Sequence, residues 1–193
     1  DQLSELVDGE RPGFASVMWS NNETGVTHPV AEACAVVKEA GWAFHTDAIQ
    51  AVGKMPVDVR EVPVDYLSLS GHKFHAPKGV GALYVRQGLR FEPMLRGGGQ
   101  ENERRSGTEN VPFIIGLGKA AEIMKGELDR DGHAGVHQRR DRFEDRLVSE
   151  IEGVTLNGSR EHRASNIIHA SFDHCEAAGL LTVVAGGNVE PGL

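Results

Sequence analysis

The amino-acid sequence predicts an α/β fold, a mixed, mostly parallel sheet flanked by helices, followed by the start of a smaller α/β domain. Short apolar runs bounded by turn residues indicate buried strands. These runs alternate with a segment of helical periodicity, and a strand, a helix and a strand in that order form a right-handed crossover between parallel strands. The 193 residues are enough for one large domain or for a domain and a half.

Five segments predict the main sheet and its crossover: a strand at 14–19, a helix at 30–40, and strands at 42–46, 65–70 and 80–85. The first strand is a nearly unbroken apolar run, which is typical of a strand buried on both faces. The helix has apolar residues at spacings of three and four and ends at Gly41. Only a short turn precedes the strand at 80–85, which favours an antiparallel neighbour in an otherwise parallel sheet.

The second half of the chain predicts two long helices and a smaller unit. Apolar residues recur at spacings of three and four over 111–151, which indicates two amphipathic helices. Strands near 153–156 and 166–172 follow and begin a small α/β domain. We therefore divide the chain into a large-domain part at 1–127 and a connecting helix with a partial C-terminal domain at 128–193.

Composition and charge exclude several classes of protein. Hydrophobic residues make up 39% of the chain and charged residues 25%, as in an ordinary soluble domain. The formal charge of -8 argues against a nucleic-acid partner, and the basic stretch at 137–146 is interleaved with acids, which predicts a solvated helix face. No apolar run approaches the roughly 18 residues of a membrane span, so no membrane partner is predicted. Cys34 and Cys175 lack disulfide-framework or metal-site spacing, which favours a reducing, cytoplasmic location.

Polar residues follow three successive predicted strands at the point where each strand ends. They are Asn21 and Asn22 after the first strand, Asp47 and Gln50 after the second, and Ser70, His72 and Lys73 after the third. Ligands of open α/β sheets bind beyond the carboxyl ends of the strands. A carboxylate, an amide, a hydroxyl and a lysine at one edge are the groups needed to hold a charged aromatic cofactor, so we predict that these residues cluster.

Each of these residues also has a structural interpretation. Asn21 and Asn22 could initiate a turn, Asp47 could cap a helix that starts near Ala48, and Lys73 could be an ordinary surface lysine. The remaining histidines are predicted to be structural or solvated. They form no tetrahedral ligand set with cysteines or carboxylates, so no metal site is predicted.

Four segments carry a resemblance to a known family: "SVMWSNNETG" at 16–25, "HTDAIQAVGK" at 45–54, "SLSGHKFHAPKGVGALYV" at 68–85 and "GGGQENERRSGTENV" at 97–111. In this order and at closely similar spacing they resemble cysteine desulfurases, which are pyridoxal-phosphate-dependent, fold-type I enzymes of the class V aminotransferase superfamily. The resemblance runs from about residue 3 to about residue 172. It covers the middle half of a family chain, so we expect a fragment.

The resemblance implies roles for three of the residues at the strand ends. Lys73 would bind pyridoxal phosphate covalently, which requires a neutral amine, and partial desolvation favours the neutral form. Asp47 would face the pyridine nitrogen and keep it protonated, so that the ring can accept electrons from the substrate. Gln50 would hydrogen-bond the ring hydroxyl oxygen. Lys73 would therefore be the principal catalytic residue.

The other cofactor contacts implied by the resemblance come from both subunits of a homodimer. Asn22 would lie near the ring and the substrate carboxylate, while Ser70 and His72 would hold the phosphate, with His72 as a second candidate catalytic residue. Thr108 matches the family threonine that reaches the phosphate of the neighbouring subunit. A helix N-cap formed by Thr108 before Val111 is compatible with that role. L-Cysteine would be the substrate, and a sulfur-acceptor or scaffold protein for iron-sulfur cluster or thio-cofactor assembly would take the sulfur.

The sequence also departs from the family pattern. Desulfurases carry a loop whose cysteine accepts the sulfur as a persulfide, but residues 180–193 contain no cysteine. Cys175 lies upstream of that loop position, and Cys34 lies in a predicted helix. A fragment of a complete desulfurase explains this, and we expect the fragment alone to bind the cofactor weakly. The alternatives are an inactive degenerate homologue and another class V enzyme, such as a transaminase or a selenocysteine lyase, that needs no loop cysteine.

Overall fold

The computed structural model describes residues 2–7, 11 and 13–186, and its main sheet has four strands. They are β1 Phe14–Met18, β2 Ala43–Asp47, β3 Tyr66–Ser70 and β4 Gly81–Val85, hydrogen-bonded in that order. The first three strands are parallel, and β4 is antiparallel to β3. The mixed, mostly parallel sheet and its antiparallel last strand are therefore confirmed. Residues 187–193, which end the predicted C-terminal part, lie outside the described residues.

Helices flank this sheet and lead to a small second sheet. They are α1 Gln2–Leu6, α2 Val30–Glu39, α3 Val111–Asp131, α4 Ala134–Glu150 and α5 Ala177–Gly186. Strands β5 Val154–Leu156 and β6 Ala170–Phe172 pair antiparallel. Helix α3 continues through the division predicted between 127 and 128, and that division stays a prediction. Among the described residues, no helix combines the length and the apolar character needed to cross a membrane.

The core lies between α2 and one face of the main sheet. It includes Val30, Cys34 and Val37 of α2, Phe44 of β2 and Leu67 of β3. Alternate residues of a strand point to opposite faces of a sheet, and the other face carries Phe14 and Ser16, which are exposed. The prediction that β1 is buried on both faces is therefore wrong, because the described residues leave this second face open.

Asp65, directly before β3, connects α2 and the residue after β4 to the main sheet through its carboxylate. Its buried carboxylate accepts hydrogen bonds from Phe44 N at 2.9 Å and from Arg86 Nε at 2.8 Å, and Lys38 Nζ of α2 lies 3.3 Å away. Burial raises the pKa of the Asp65 carboxyl, but these hydrogen bonds outweigh burial and the pKa is lowered overall. Asp65 therefore joins the two elements as an ionised group.

A buried ion pair occupies part of the segment 137–146, which the sequence predicts to be a solvated helix face. Glu144 of α4 is fully buried, and Arg163 Nη1 donates to its Oε1. Arg163 also donates to the carbonyl oxygens of Asn157 and Ser159, at 2.6 and 2.9 Å. The prediction is wrong at Glu144 because its partner lies 19 residues further along the chain, where helical periodicity gives no information.

The loop that holds Arg163 is hydrogen-bonded to the turn after β1. Val26 and Arg163 form an antiparallel bridge. On either side of it, Thr27 N donates to His162 O at 2.9 Å and Ala164 N donates to Gly25 O at 2.8 Å. The buried ion pair of α4 therefore helps to position the turn that leaves the carboxyl end of β1.

Candidate active site

The carboxyl ends of β1, β2 and β3 lie side by side. Met18, Asp47 and Ser68 are paired across the three strands. Just beyond them, Trp19 N donates to Asp47 O at 2.8 Å and Ala48 N donates to Ser68 O at 3.0 Å. The polar residues that follow these strands consequently leave the sheet from a single edge.

The two asparagines after β1 differ in their surroundings. Asn21 Oδ1 accepts hydrogen bonds from Glu23 N and Thr24 N, both at 2.9 Å, and from Thr24 Oγ1 at 3.2 Å. Asn21 is thus a turn-forming residue, as its structural interpretation predicts. Asn22 is exposed, and the structure gives its side chain no partner among the described residues. Asn22 is therefore the asparagine that can meet a ligand.

Asp47 uses one carboxylate oxygen to hold the chain after β2. Its Oδ1 accepts from Ile49 N at 2.9 Å, while Oδ2 has no hydrogen bond to any residue that the structure describes. The segment that follows is a series of turns and not the predicted helix near Ala48, with Ala48 and Ala51 fully buried. The half-buried carboxylate keeps one oxygen for a ligand.

Gln50 is engaged by a lysine that our sequence analysis did not select. Gln50 is buried, and its Oε1 accepts a hydrogen bond from Lys54 Nζ. Burial is the main cause that lowers the pKa of the half-buried Lys54 to about 8, and the nearby charge of Lys73 acts in the same direction. The spacing of four residues between Gln50 and Lys54, inside one of the quoted segments, is the signal that could have identified this pair.

Ser70, His72 and Lys73 surround the end of β3. Ser70 Oγ lies 2.9 Å from His72 Nδ1, and His72 and Lys73 stand on a short 3₁₀ turn, Gly71–Phe74. Lys73 is exposed, so the described residues do not supply the partial desolvation expected around it. They do place a second amine, that of Lys54, near enough for its charge to interact with that of Lys73.

His45 has the structural role predicted for the remaining histidines. Its Nδ1 lies 2.7 Å from Ser16 Oγ and its Nε2 lies 3.2 Å from Ser68 Oγ, so the ring bridges β1, β2 and β3. Burial lowers the pKa of His45, and the charge of Asp47 partly opposes this effect. With both ring nitrogens engaged, His45 supports the sheet next to the candidate site.

Thr108 belongs to the loop before α3 and not to the segments that follow β1, β2 and β3. It is exposed, and the N-cap of α3 is Asn110, whose side chain accepts from Phe113 N at 3.4 Å. The interpretation of Thr108 as the N-cap is therefore wrong, because the helix begins one residue after Asn110. The Thr108 hydroxyl is available to another molecule.

The polar groups of this edge fit pyridoxal phosphate. Asp47 Oδ2 can accept a hydrogen bond from a ring N–H, and Gln50 Nε2, which meets no acceptor among the described residues, can donate to a ring oxygen. Since one hydrogen bond joins Ser70 Oγ to His72 Nδ1, either Ser70 Oγ or His72 Nε2 can donate to a phosphate, and Lys73 supplies an accessible amine. The donors and acceptors that the described residues leave unused thus match those of the cofactor.

Comparison of sequences relates the chain to proteins of one family. The class V aminotransferase family model matches residues 1–190. The chain is 50% identical over 174 residues to a cysteine desulfurase of Gluconacetobacter diazotrophicus, covering 90% of this chain and 43% of that protein. A cysteine desulfurase of Klebsiella pneumoniae is 44% identical over 174 residues, and the match covers 90% of this chain and 43% of that protein. The chain spans less than half the length of these curated relatives.

Comparison of structures gives neighbours of the same kind. A NifS-like protein has a TM-score of 0.86 at 36% identity, covering 96% of this chain and 50% of that chain. DndA from Streptomyces lividans has a TM-score of 0.81 at 36% identity, and the match covers 94% of this chain and 51% of that chain. These neighbours confirm the predicted fold, including its mixed sheet and flanking helices.

Proposed function

Since the chain belongs to the class V aminotransferase family, we propose that it carries the cofactor-binding part of a cysteine desulfurase. In this reaction L-cysteine is converted to L-alanine, and its sulfur passes to an enzyme thiol as a persulfide. The observation that carries the proposal is the shared edge of three parallel strands, which brings Asp47, Gln50 and the Lys73 turn together. The similarity to curated cysteine desulfurases favours this member of the family.

When bound, pyridoxal phosphate supplies an electron sink for the bonds broken in the amino acid. Asp47 would hold the ring nitrogen in its protonated form through Oδ2, since a carboxylate stabilises a neighbouring positive charge. Gln50 would donate from Nε2 to the ring oxygen. Ser70 and His72 would bind the phosphate, where the existing hydrogen bond between them fixes the imidazole.

Lys73 would have two tasks at this edge. Its amine would hold the cofactor covalently, and as a free amine it would hold or move a proton at the substrate α-carbon. His72, also exposed on the same 3₁₀ turn, is a second group that could exchange a proton there. Asn22, exposed at the neighbouring strand end, would orient the substrate carboxylate.

The described cysteines bear on the sulfur-accepting step. Cys34 is buried, and burial raises the pKa of its thiol. Because the thiolate is the nucleophile, a buried thiol with a raised pKa is unsuited to accept sulfur. Cys175 is exposed, but it stands upstream of the loop position that the family uses.

The two free cysteines also favour a reducing, cytoplasmic location for the protein.

A homodimer would complete the site. Beside Thr108, the first turns of α3 expose the apolar side chains of Val111, Ile114 and Ile115. An exposed apolar patch of this kind favours a protein partner, and a second copy of the chain would bring Thr108 toward the partner's phosphate. A sulfur-acceptor or scaffold protein would then take up the persulfide sulfur.

Substitution of Lys73 tests the proposal in the protein expressed at the full length of its gene. Lys73→Ala should abolish the visible absorbance of covalently bound cofactor and the formation of L-alanine and sulfide from L-cysteine. The control is Lys78→Ala, which removes another exposed lysine five residues away and should preserve both. Covalent cofactor retained by Lys73→Ala would refute the proposal, and transfer of an amino group to a 2-oxo acid without sulfide would indicate a transaminase.

A further inference from the structure

Gln50 and Lys54 lie one turn apart on a rigid segment. Val52 N donates to Ala48 O at 3.0 Å and Lys54 N donates to Ala51 O at 3.0 Å, and both alanines are fully buried. The backbone that carries the two side chains is therefore fixed by hydrogen bonds and by packing.

Gly53 packs this segment against the 3₁₀ turn that carries Lys73. Gly53 has a φ of +77°, and a Cβ at this position would lie 2.7 Å from Phe74 Cβ. Only glycine allows so close an approach without strain. Phe74 is buried and follows Lys73 directly in the chain, so the position of Lys54 is fixed relative to that of Lys73.

While Lys54 is protonated, its hydrogen bond with Gln50 has only one possible donor and one possible acceptor. An ammonium group has three donors and no acceptor, whereas an amide has an acceptor oxygen and a donor nitrogen. The amide atom that faces Lys54 Nζ must therefore be the oxygen of Gln50, as observed. The two Nε2 hydrogens are then directed away from Lys54, and in the described part of the chain they meet no acceptor.

We propose that Lys54 is a positioning residue that fixes the amide of Gln50 with its N–H groups toward the ring oxygen of pyridoxal phosphate. This inference rests on the proposed function. Without the lysine the amide of Gln50 could rotate by half a turn, and its oxygen would then face the electron-rich ring oxygen of the cofactor. Lys54 prevents this arrangement by holding the amide oxygen itself.

The loss expected on removing Lys54 is that of one hydrogen bond to a charged acceptor. Such a bond contributes about 10-fold to 100-fold in affinity. Since the amide would still adopt the productive orientation part of the time, we expect Lys54→Met to bind pyridoxal phosphate about 10-fold more weakly. Lys54→Arg keeps a donor-only side chain and should restore most of the affinity.

A double-mutant cycle separates a role through Gln50 from a direct effect of charge. The dissociation constant for pyridoxal phosphate and the pH midpoint of the visible absorbance are measured in the full-length protein for the wild type, Lys54→Met, Gln50→Ala and the double variant. If Lys54 acts by orienting Gln50, Lys54→Met should weaken binding and shift the midpoint in the wild-type background. In the Gln50→Ala background it should leave the dissociation constant unchanged, and any shift of the midpoint that remains there reports the direct effect of the Lys54 charge on Lys73.

Two results would overturn the inference while leaving the proposed function intact: cofactor affinity unchanged in Lys54→Met, or an equal loss in both backgrounds. Lys78→Met controls for the removal of a positive charge and should match the wild type. Absence of cofactor from Lys73 in the wild-type protein would instead refute the proposed function, and this inference with it. Thermal unfolding of each variant checks that it is folded, and Lys54→Arg provides the test if Lys54→Met is not.

Discussion

Replacement of Glu144 by glutamine should cost more stability than any ordinary surface substitution. Glu144 and the side chain of Arg163 are both fully buried, and Arg163 Nη1 donates to Glu144 Oε1. Arg160 Nε lies 3.2 Å from Oε2, at ion-pair distance but without hydrogen-bond geometry, since Oε2 has no hydrogen-bond partner among the described residues. Glu144→Gln keeps the size of the side chain and removes the charge that Arg163 faces.

The magnitude follows from the burial of the pair. Removing one partner of a buried ion pair costs about 3 to 5 kcal/mol, because the other charge stays buried without compensation. In Glu144→Gln the new amide would keep one acceptor oxygen for Arg163, and Arg163 would keep its bonds to two carbonyl oxygens. We therefore expect the lower end, a loss of about 3 kcal/mol in the free energy of unfolding.

Urea unfolding of Glu144→Gln and of a matched control measures this loss. The control is Glu150→Gln in the same helix, where Glu150 pairs with Arg146 at 2.8 Å on the exposed surface. An exposed pair four residues apart contributes only about 0.3 to 0.5 kcal/mol. Two results would contradict the conclusion that the buried Glu144–Arg163 pair stabilises the loop after β5. One is an equal loss in the two variants, and the other is a loss below about 1 kcal/mol for Glu144→Gln.

Three further predictions concern the 3₁₀ turn after β3, the pH dependence of stability and the dimer. Gly71→Ala should destabilise the protein by about 1 to 3 kcal/mol in urea unfolding, because a Cβ there would lie 3.0 Å from Ala76 Cβ and from the backbone oxygen of Val80, besides 2.9 Å from Leu117 Cδ1; an unchanged unfolding midpoint would argue against this packing. The pKa of Asp65 is lowered in the folded state, so its contribution is present above the ordinary pKa of 3.8 and is lost as the pH falls through the folded pKa. Unfolding free energies measured from pH 7 downward should therefore fall less steeply in acid for Asp65→Asn than for the wild type, and equal slopes would contradict the sign. Mixed dimers of Lys73→Ala and Thr108→Val subunits should regain one tight cofactor site per dimer, whereas no gain over the separate variants would mean that Thr108 does not serve the neighbouring subunit.

The arrangement of the strand ends could be predicted because it depends on local pattern and simple topology. Apolar runs separated by a helix of clear periodicity predict parallel strands, and a short turn before the predicted strand at 80–85 predicts the antiparallel pairing that β4 shows. Parallel strands end at the same edge, so the polar residues that follow β1, β2 and β3 had to lie near one another. The resemblance then gave each of them except Asn21 an expected role.

The features that could not be predicted depend on contacts between distant segments. The burial of Lys54 depends on the packing of the turn after β2 against Phe74 of the 3₁₀ turn and Met124 of α3, and the only local signal for its role is the four-residue spacing from Gln50. Glu144 looks like one acid among several in a mixed helix face until Arg163 is folded against it. The N-cap of α3 is Asn110 and not Thr108 for a simpler reason. Threonine and asparagine are both capping residues, and the start of a helix is defined only to within a residue or two.

The most direct test of the central claim is to reduce the full-length protein with borohydride after loading with pyridoxal phosphate and to map the modified peptide by mass spectrometry. Reduction converts the covalent link between lysine and cofactor into a stable amine. We expect a pyridoxyl group on Lys73, and none on the nearby Lys54 although the pKa of Lys54 is lowered to about 8. A label on Lys54, or no label on either lysine, would contradict this expectation.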